Sequence, residues 1–518
     1  MQYTDKAAKT GVFATLSYLV LWGNELIMEK REQFSSRLGF ILVSAGCAIG
    51  LGNVWKFPYM CGQYGGGIFI AFYLLFLVIM GIPIIVSEFA MGRGSKSGIA
   101  TAFTMLEPQG QTWHKFRWFC MAGSYILMMF YTVACGWMLY YAYMMITGQV
   151  TGISAEAIPL VFTDMLADPQ TMVLWMTITI VFSFGVCAMG VQRGVERVSK
   201  WMMICLIILM VILAVNSVTL DGAMEGVRFF LVPDWEQVQT VGLDAVIFGA
   251  LTQSFFTLGI GIGSMAIFGS YLDDKRSLTG EAVHIVLLDT FVAMTAGFIV
   301  IPACFAYGIE PNSGPPLLFI TLTSVFNDMP FGRLWGSAFF VFMSFAALST
   351  VITMFENQIA FGMDMLNWNR KKSVLTNLAA MLVLAMPAAL GYNILSDIQP
   401  LGADSTILDF EDFIVSDNLL PIGGAVILLF CTSKHGWGFE HFLSEANRGT
   451  GLKFPAWVRL YMSYVLPVVL LVLYIRGFLS KISSLSADAR LIWIALAAAY
   501  IGFTAWIVCK KRPKTTEQ

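Results

Sequence analysis

The stretch Cys47–Tyr59, CAIGLGNVWKFPY, carries two glycines, an asparagine and a proline inside an apolar run that otherwise suits a membrane-spanning helix. Gly50 and Gly52 lack Cβ atoms, so the backbone leaves helical geometry cheaply there and frees N–H and C=O groups. In lipid such groups are costly unless something binds them. The free N–H groups near Leu51 and Gly52 favour an anion, and the freed carbonyls of Gly46, Ala48 and Ile49 favour a cation. A carboxylate and a sodium ion can therefore share one break. A second interruption, FFTLGIGIGS at 255–264, contains Gly259, Gly261 and Gly263. Close packing of small residues would account for the glycines alone, but Asn53 and Thr257 stand beside them, and packing asks for neither.

These residues need a membrane frame to hold them, and the composition supplies one. Of 518 residues, 57% are apolar and only 12% charged, against roughly 25% charged in a soluble protein. Mean hydropathy is +0.73. Apolar runs of about 20 residues recur along the chain, which predicts an all-α polytopic membrane protein. A β-barrel is excluded because its strands would alternate apolar and polar residues. No basic cluster is dense enough to suggest nucleic acid. The expected spans lie near 38–62, 67–91, 118–146, 171–190, 200–219, 242–271, 282–307, 334–364, 374–392, 409–430, 457–478 and 488–509.

The two interruptions thus fall in the first and sixth spans, five helices apart. Paired breaks in corresponding positions point to a midplane binding site in an inverted-repeat transporter. The first repeat would run over about 38–219 and the second over about 242–430, with additional helices over about 457–509. Lys and Arg cluster in alternate loops, whereas the loop from Gly148 to Gln170 has neither. That asymmetry predicts a multi-pass protein of the cell membrane (inner or plasma) with both termini cytoplasmic.

The nine cysteines form no Cys-x-x-Cys pair, and the four histidines have no metal spacing. Residues 1–30 read as an N-terminal extension to a single transporter domain over 31–518. The apolar part at 11–28 suits a signal-like segment, a helix lying on the membrane, or an extension absent from the working protein whose true start is Met28.

Four strings, GLGNVWKFPY, GGGIFIAFYLLFLVIMGIPIIVSEFAMGR, GVERVSK and QSFFTLGIGIG, occur in that order. With them the chain resembles the neurotransmitter:sodium symporters, in their LeuT-like bacterial branch, from about Arg31 to the twelfth span. The resemblance implies that Tyr131 donates its hydroxyl to a substrate carboxylate and that Phe256 caps the pocket from outside. It places Ala48, Gly50, Leu51 and Gly52 against the substrate, and Leu127, Gly259, Ile262, Thr350 and Met354 around its side chain. Amine carriers of the family have an aspartate where this chain has Gly50, so the substrate here should bring its own carboxylate. The mostly apolar subsite then suggests a neutral, hydrophobic or aromatic amino acid.

One or two sodium ions are also implied. The first site would combine the Ala48 carbonyl, Asn53, Thr257, Asp289 and the substrate carboxylate. The second would combine the carbonyls of Gly46, Ile49 and Ala346 with the hydroxyls of Ser349 and Thr350. Asp289 replaces an asparagine of the LeuT-like pattern, and Ala293 stands where chloride-dependent members carry serine. Tyr73, Gln253 and Thr257 otherwise match the chloride ligands. The reading is that the Asp289 carboxylate substitutes for chloride, so chloride is not expected, and that it takes up a proton once sodium leaves. A neutral, merely hydrogen-bonded Asp289 is the alternative.

The family's gates map to Lys56 with Asp412 outside and Arg31 with Asp364 inside. Glu88 and Glu356 read as structural acceptors for broken backbone. The function expected is a sodium-coupled symporter that imports the amino acid across the lipid bilayer by alternating access. The alternative is a non-transporting amino acid sensor of the same fold, whose mark would be a long cytoplasmic domain; the tail after Cys509 is short. No enzyme is expected, because no His–Ser–Asp or metal constellation lies within the spans. Oligomeric state is left open, a homodimer included.

Overall fold

The computed structural model describes residues 34–154, 156–308, 317–403, 405–483 and 485–510. The segment at 11–28 and Arg31 lie outside the described residues. Within them the chain is helical, and its only strand-like features are the isolated bridges Gly66–Pro233 and Arg276–Thr450.

Ten unbroken helices are long and apolar enough to cross a bilayer. They correspond to the second to fifth and seventh to twelfth expected spans, from Gly67–Ser95 to Ala487–Cys509. The first span is two helices, Arg37–Ala48 and Gly52–Gln63, bent by 57° at the break. The sixth is likewise divided, into Leu243–Thr257 and Ser264–Ser270, each half too short to cross alone. The twelve-helix arrangement with unwound first and sixth helices is therefore the observed one.

Burial separates a protein-lined centre from a lipid-facing rim. The eighth span, Gly332–Leu366, has 83% of its apolar window buried, whereas the twelfth has 11%. The third and eighth spans pack together at the centre. At the rim, Leu75, Val78, Val211, Val215, Val468 and Val472 are exposed, as hydrocarbon surroundings require.

One expected boundary is corrected. The fifth span begins at Val191, in a π-helical turn over Val191–Glu196, and not near 200. Arg193 and Arg197 depress hydropathy there without ending the helix, since helical hydrogen bonding is indifferent to a charged side chain that reaches solvent. Short helices outside the spans, such as Ile99–Leu106, Ala223–Leu231 and Phe439–Ala446, had no sequence signal strong enough to be set apart from loops.

Candidate functional site

At the first break, helix Arg37–Ala48 ends on Ile49 in extended geometry, with ψ at 102°. The freed groups find partners on the first span itself and on two others. Gly50 N–H donates to Asn53 Oδ1 at 3.1 Å, and Leu51 N–H donates to Tyr131 Oη at 2.9 Å. The Gly52 carbonyl accepts from Gln253 Nε2 at 2.8 Å. Every one of these contacts is buried.

The carbonyls at the end of helix Arg37–Ala48 converge on the eighth span. Thr350 Oγ1 lies 3.2 Å from the Gly46 carbonyl, 3.1 Å from that of Ile49 and 3.4 Å from that of Ala346. Ser349 Oγ donates to the Ala346 carbonyl at 2.9 Å. One hydroxyl hydrogen cannot serve three carbonyls at once. The cluster therefore presents more oxygen lone pairs than hydrogens, which is the donor set that unwound backbone offers an alkali cation. Gly46, Ile49, Ala346, Ser349 and Thr350, which the family resemblance grouped as one site, are brought to one place.

A second cluster lies on the other side of the break. Asn53 Nδ2 donates to Asp289 Oδ1 at 2.8 Å and to the Asp289 carbonyl at 3.2 Å. Thr257 Oγ1 is 3.5 Å from Asp289 Oδ2. Asp289 is fully buried in the seventh span, as is Asn53 in the first. The buried Tyr73 hydroxyl lies beside Asp289, and Gln253 Oε1 is a buried polar atom without a hydrogen-bond partner. Ala293, one turn on, adds no polar group. A buried carboxylate held by neutral amide and hydroxyl donors, with no cationic side chain among its hydrogen-bond partners, is costly unless a cation joins it.

The glycines define the space between the clusters. A Cβ on Gly50 would stand 2.3 Å from Tyr131 Oη and 2.7 Å from Thr350 Oγ1, so no side chain fits without moving both. A Cβ on Gly52 would press on Phe256 at 3.3 Å. Gly259, with φ at +57°, has nothing within 4 Å of where its Cβ would be, and so borders open space. Ala48, Leu127, Ile262 and Met354 are buried and apolar.

The second break is stabilised differently. Glu88, on the second span, accepts from Gly261 N–H at 2.7 Å, Gly263 N–H at 3.3 Å and Met265 N–H at 2.9 Å. That is the backbone role read from the sequence. Glu356 departs from it: its carboxylate pairs with Arg370 at 2.5 Å and accepts from Tyr271 Oη at 3.0 Å. The reading overlooked Arg370 because it lies beyond the helix end, where a charge looks solvated.

Beside the end of the sixth span's first half that meets the break, Lys56, Phe256, Asp412, Ser416, Asp417 and Lys481 line one cavity. Lys56 and Asp412 make no ion pair among the described residues. The Lys56 ammonium sits over the Phe256 ring, 3.7 Å from its centroid, and Asp412 accepts from Ser416 Oγ at 2.5 Å. An ammonium is a point charge without the fork that would fix it to a carboxylate, so the ring competes for it. Asp417, unremarked in the sequence, occupies a π-helical turn over Phe413–Leu419. Asp364 accepts from Gly98 N–H at 3.0 Å; its expected partner Arg31 lies outside the described residues.

Known proteins resemble this chain along most of its length. The model of the sodium:neurotransmitter symporter family matches residues 31–158 and 156–508. The uncharacterized sodium-dependent transporter YhdH of Bacillus subtilis (strain 168) is 35% identical over 461 residues, covering 87% of this chain and 99% of its own. An uncharacterized sodium-dependent transporter of Haemophilus influenzae is 30% identical over 87% of this chain and 98% of its own. Among solved structures, MhsT in complex with L-phenylalanine aligns with a TM-score of 0.77 at 35% identity, over 86% of this chain and all of that one.

Proposed function

The chain belongs to the sodium:neurotransmitter symporter family, and on that premise we propose that it imports a neutral, apolar or aromatic amino acid together with sodium. It is a multi-pass membrane protein and a sodium-dependent transporter of a small molecule. The finer reading rests above all on Gly50. With Tyr131 Oη and Thr350 Oγ1 closing on the place of its absent side chain, Gly50 offers no carboxylate to pair with an amine. The substrate supplies the carboxylate itself, held by Tyr131 and the N–H groups of the first break. That MhsT was solved with L-phenylalanine supports an amino acid with an apolar side chain.

In this reading the ions and substrate use the break jointly. One sodium ion binds between the Ala48 carbonyl, Asn53, Thr257, Asp289 and the substrate carboxylate. A second binds among Gly46, Ile49, Ala346, Ser349 and Thr350. Leu51, Gly52, Leu127, Phe256, Gly259, Ile262 and Met354 surround the substrate. Each ligand orders backbone that the other requires, so each raises the affinity for the other by the same factor. The Asp289 carboxylate supplies the negative charge that balances sodium, which makes chloride unnecessary. Lys56 with Asp412, and Arg31 with Asp364, form the outer and inner barriers, and both termini face the cytoplasm. The membrane potential then adds about 2.3 kcal/mol per charge per 100 mV to the sodium gradient.

Uptake into proteoliposomes tests this reading. Labelled leucine, methionine or an aromatic amino acid should accumulate under an inward sodium gradient and do so equally with gluconate in place of chloride. Accumulation of dopamine or serotonin with no amino acid uptake would overturn it. Collapse of uptake without chloride would overturn the role given to Asp289.

A further inference from the structure

The string GVERVSK contains a buried acid that neither the pocket nor the ion sites use. Glu196 ends the π-helical turn over Val191–Glu196 that opens the fifth span and is only 3% exposed. Its carboxylate accepts three hydrogen bonds from the start of the first span: Ser35 N–H at 2.7 Å, Ser35 Oγ at 2.7 Å and Ser36 Oγ at 3.2 Å. Ser36 is also the N-cap of helix Arg37–Ala48, accepting from Gly39 N–H at 3.0 Å. We propose that Glu196 is the latch of the inner half of the first span, and that its release is a step in opening the pocket towards that helix end.

Two glycines make room for this contact. Gly194 lies so close to the Val186 carbonyl that a Cβ would be 2.0 Å from its oxygen, so the turn that delivers Glu196 is closed to other residues. A Cβ on Gly39 would fall 1.9 Å from Glu196 Oε1, so the carboxylate occupies the space that Gly39 leaves. The charge also sits at the positive end of the helix dipole. All three bonds run to one side chain on another span, whereas the half-helix itself is joined to the rest of its span only through the bent, non-helical break. A second tie, Arg37 Nε to Glu281 at 3.0 Å, involves an arginine side chain that is 42% exposed and so holds less firmly. A rigid rod, a hinge and a buried acid bound at the rod's first turn make an element with two positions, one of them held by Glu196.

The inference rests on the alternating-access reading for its consequence, yet its test is separable. Cys47 lies on this half-helix and is 3% exposed, and the exposed cysteines Cys205 and Cys509 can be changed to serine. In full-length protein in proteoliposomes with sodium present, an impermeant maleimide is applied from each side in turn, and modification of Cys47 is followed by peptide mass. Glu196→Ala should speed modification from one side by about tenfold, the equivalent of ~1.4 kcal/mol and the order of one net charge-assisted hydrogen bond. Glu196→Gln, which keeps an acceptor oxygen, should fall between it and the parent. Gly39→Ala should mimic Glu196→Ala by expelling the carboxylate, and the double variant should be no faster than either single one. Unchanged Cys47 modification in Glu196→Ala, or simple additivity in the double variant, would overturn the latch. Failure of amino acid uptake in the parent, with the latch effect intact, would count against the proposed substrate alone. Acceleration from the side opposite to the termini would count against the proposed orientation alone.

Discussion

The breaks in the first and sixth spans use the same residue type and end differently. At the sixth, three freed N–H groups converge on the carboxyl of Glu88, supplied by the neighbouring second span. At the first, the freed N–H groups of Gly50 and Leu51 meet an amide oxygen and a phenol, and the freed carbonyls meet the Thr350 hydroxyl. Neutral partners such as these can be exchanged for an ion or a carboxylate at little cost, whereas a buried carboxyl with three donors cannot. Glycine in a membrane helix therefore marks a break but not a site. The chemistry of whatever satisfies the freed backbone distinguishes a structural break from a binding one.

That contrast is open to direct attack. Glu88→Ala strands three buried N–H groups at about 1–3 kcal/mol each, so the largest effect expected is loss of folded protein, seen as a collapsed monodisperse peak and a sharply lowered Tm in detergent. Asp289→Ala should leave a folded protein and reduce sodium-dependent uptake by about 100-fold, ~2.7 kcal/mol of coupling. If its Tm fell as far as that of Glu88→Ala, the division between the two breaks would be wrong. Tyr131→Phe removes one hydrogen bond to a charged group and should weaken substrate affinity by about tenfold, with little change in Tm, in equilibrium binding. Gly259→Ala should have the smallest effect. Its Cβ meets nothing within 4 Å but demands φ at +57°, a cost of about 1–2 kcal/mol for a side chain. Aromatic substrates should weaken by a few-fold before leucine does, in competition assays.

How much of this could be read beforehand depends on the distance over which each signal acts. Hydropathy over about 20 residues is a local quantity, and the twelve spans followed from it. The breaks followed from glycines set beside Asn53 and Thr257. The ion clusters were legible only through the family's motifs, because nothing local ties Thr350 to Gly46 or Asn53 to Asp289, more than 230 positions apart. Contacts outside those motifs were missed for the same reason. Arg370 reaching back to Glu356, and Ser35 and Ser36 turning to Glu196, are specified by packing of distant spans and not by spacing. The turn at Val191–Glu196 was invisible because its charges resemble a loop. Lys56 resting on Phe256 and not on Asp412 reflects a choice between two partners that residue type leaves open.

The central claim is that the first break holds a zwitterion whose carboxylate substitutes for a missing side chain at Gly50. Equilibrium binding of labelled L-phenylalanine to the purified protein, in sodium and in potassium, with phenethylamine as competitor, tests it most directly. The account predicts saturable binding in sodium, none in potassium, and no competition by the amine, which has the ring and ammonium but no carboxylate. Displacement by phenethylamine as effective as by unlabelled phenylalanine would contradict it.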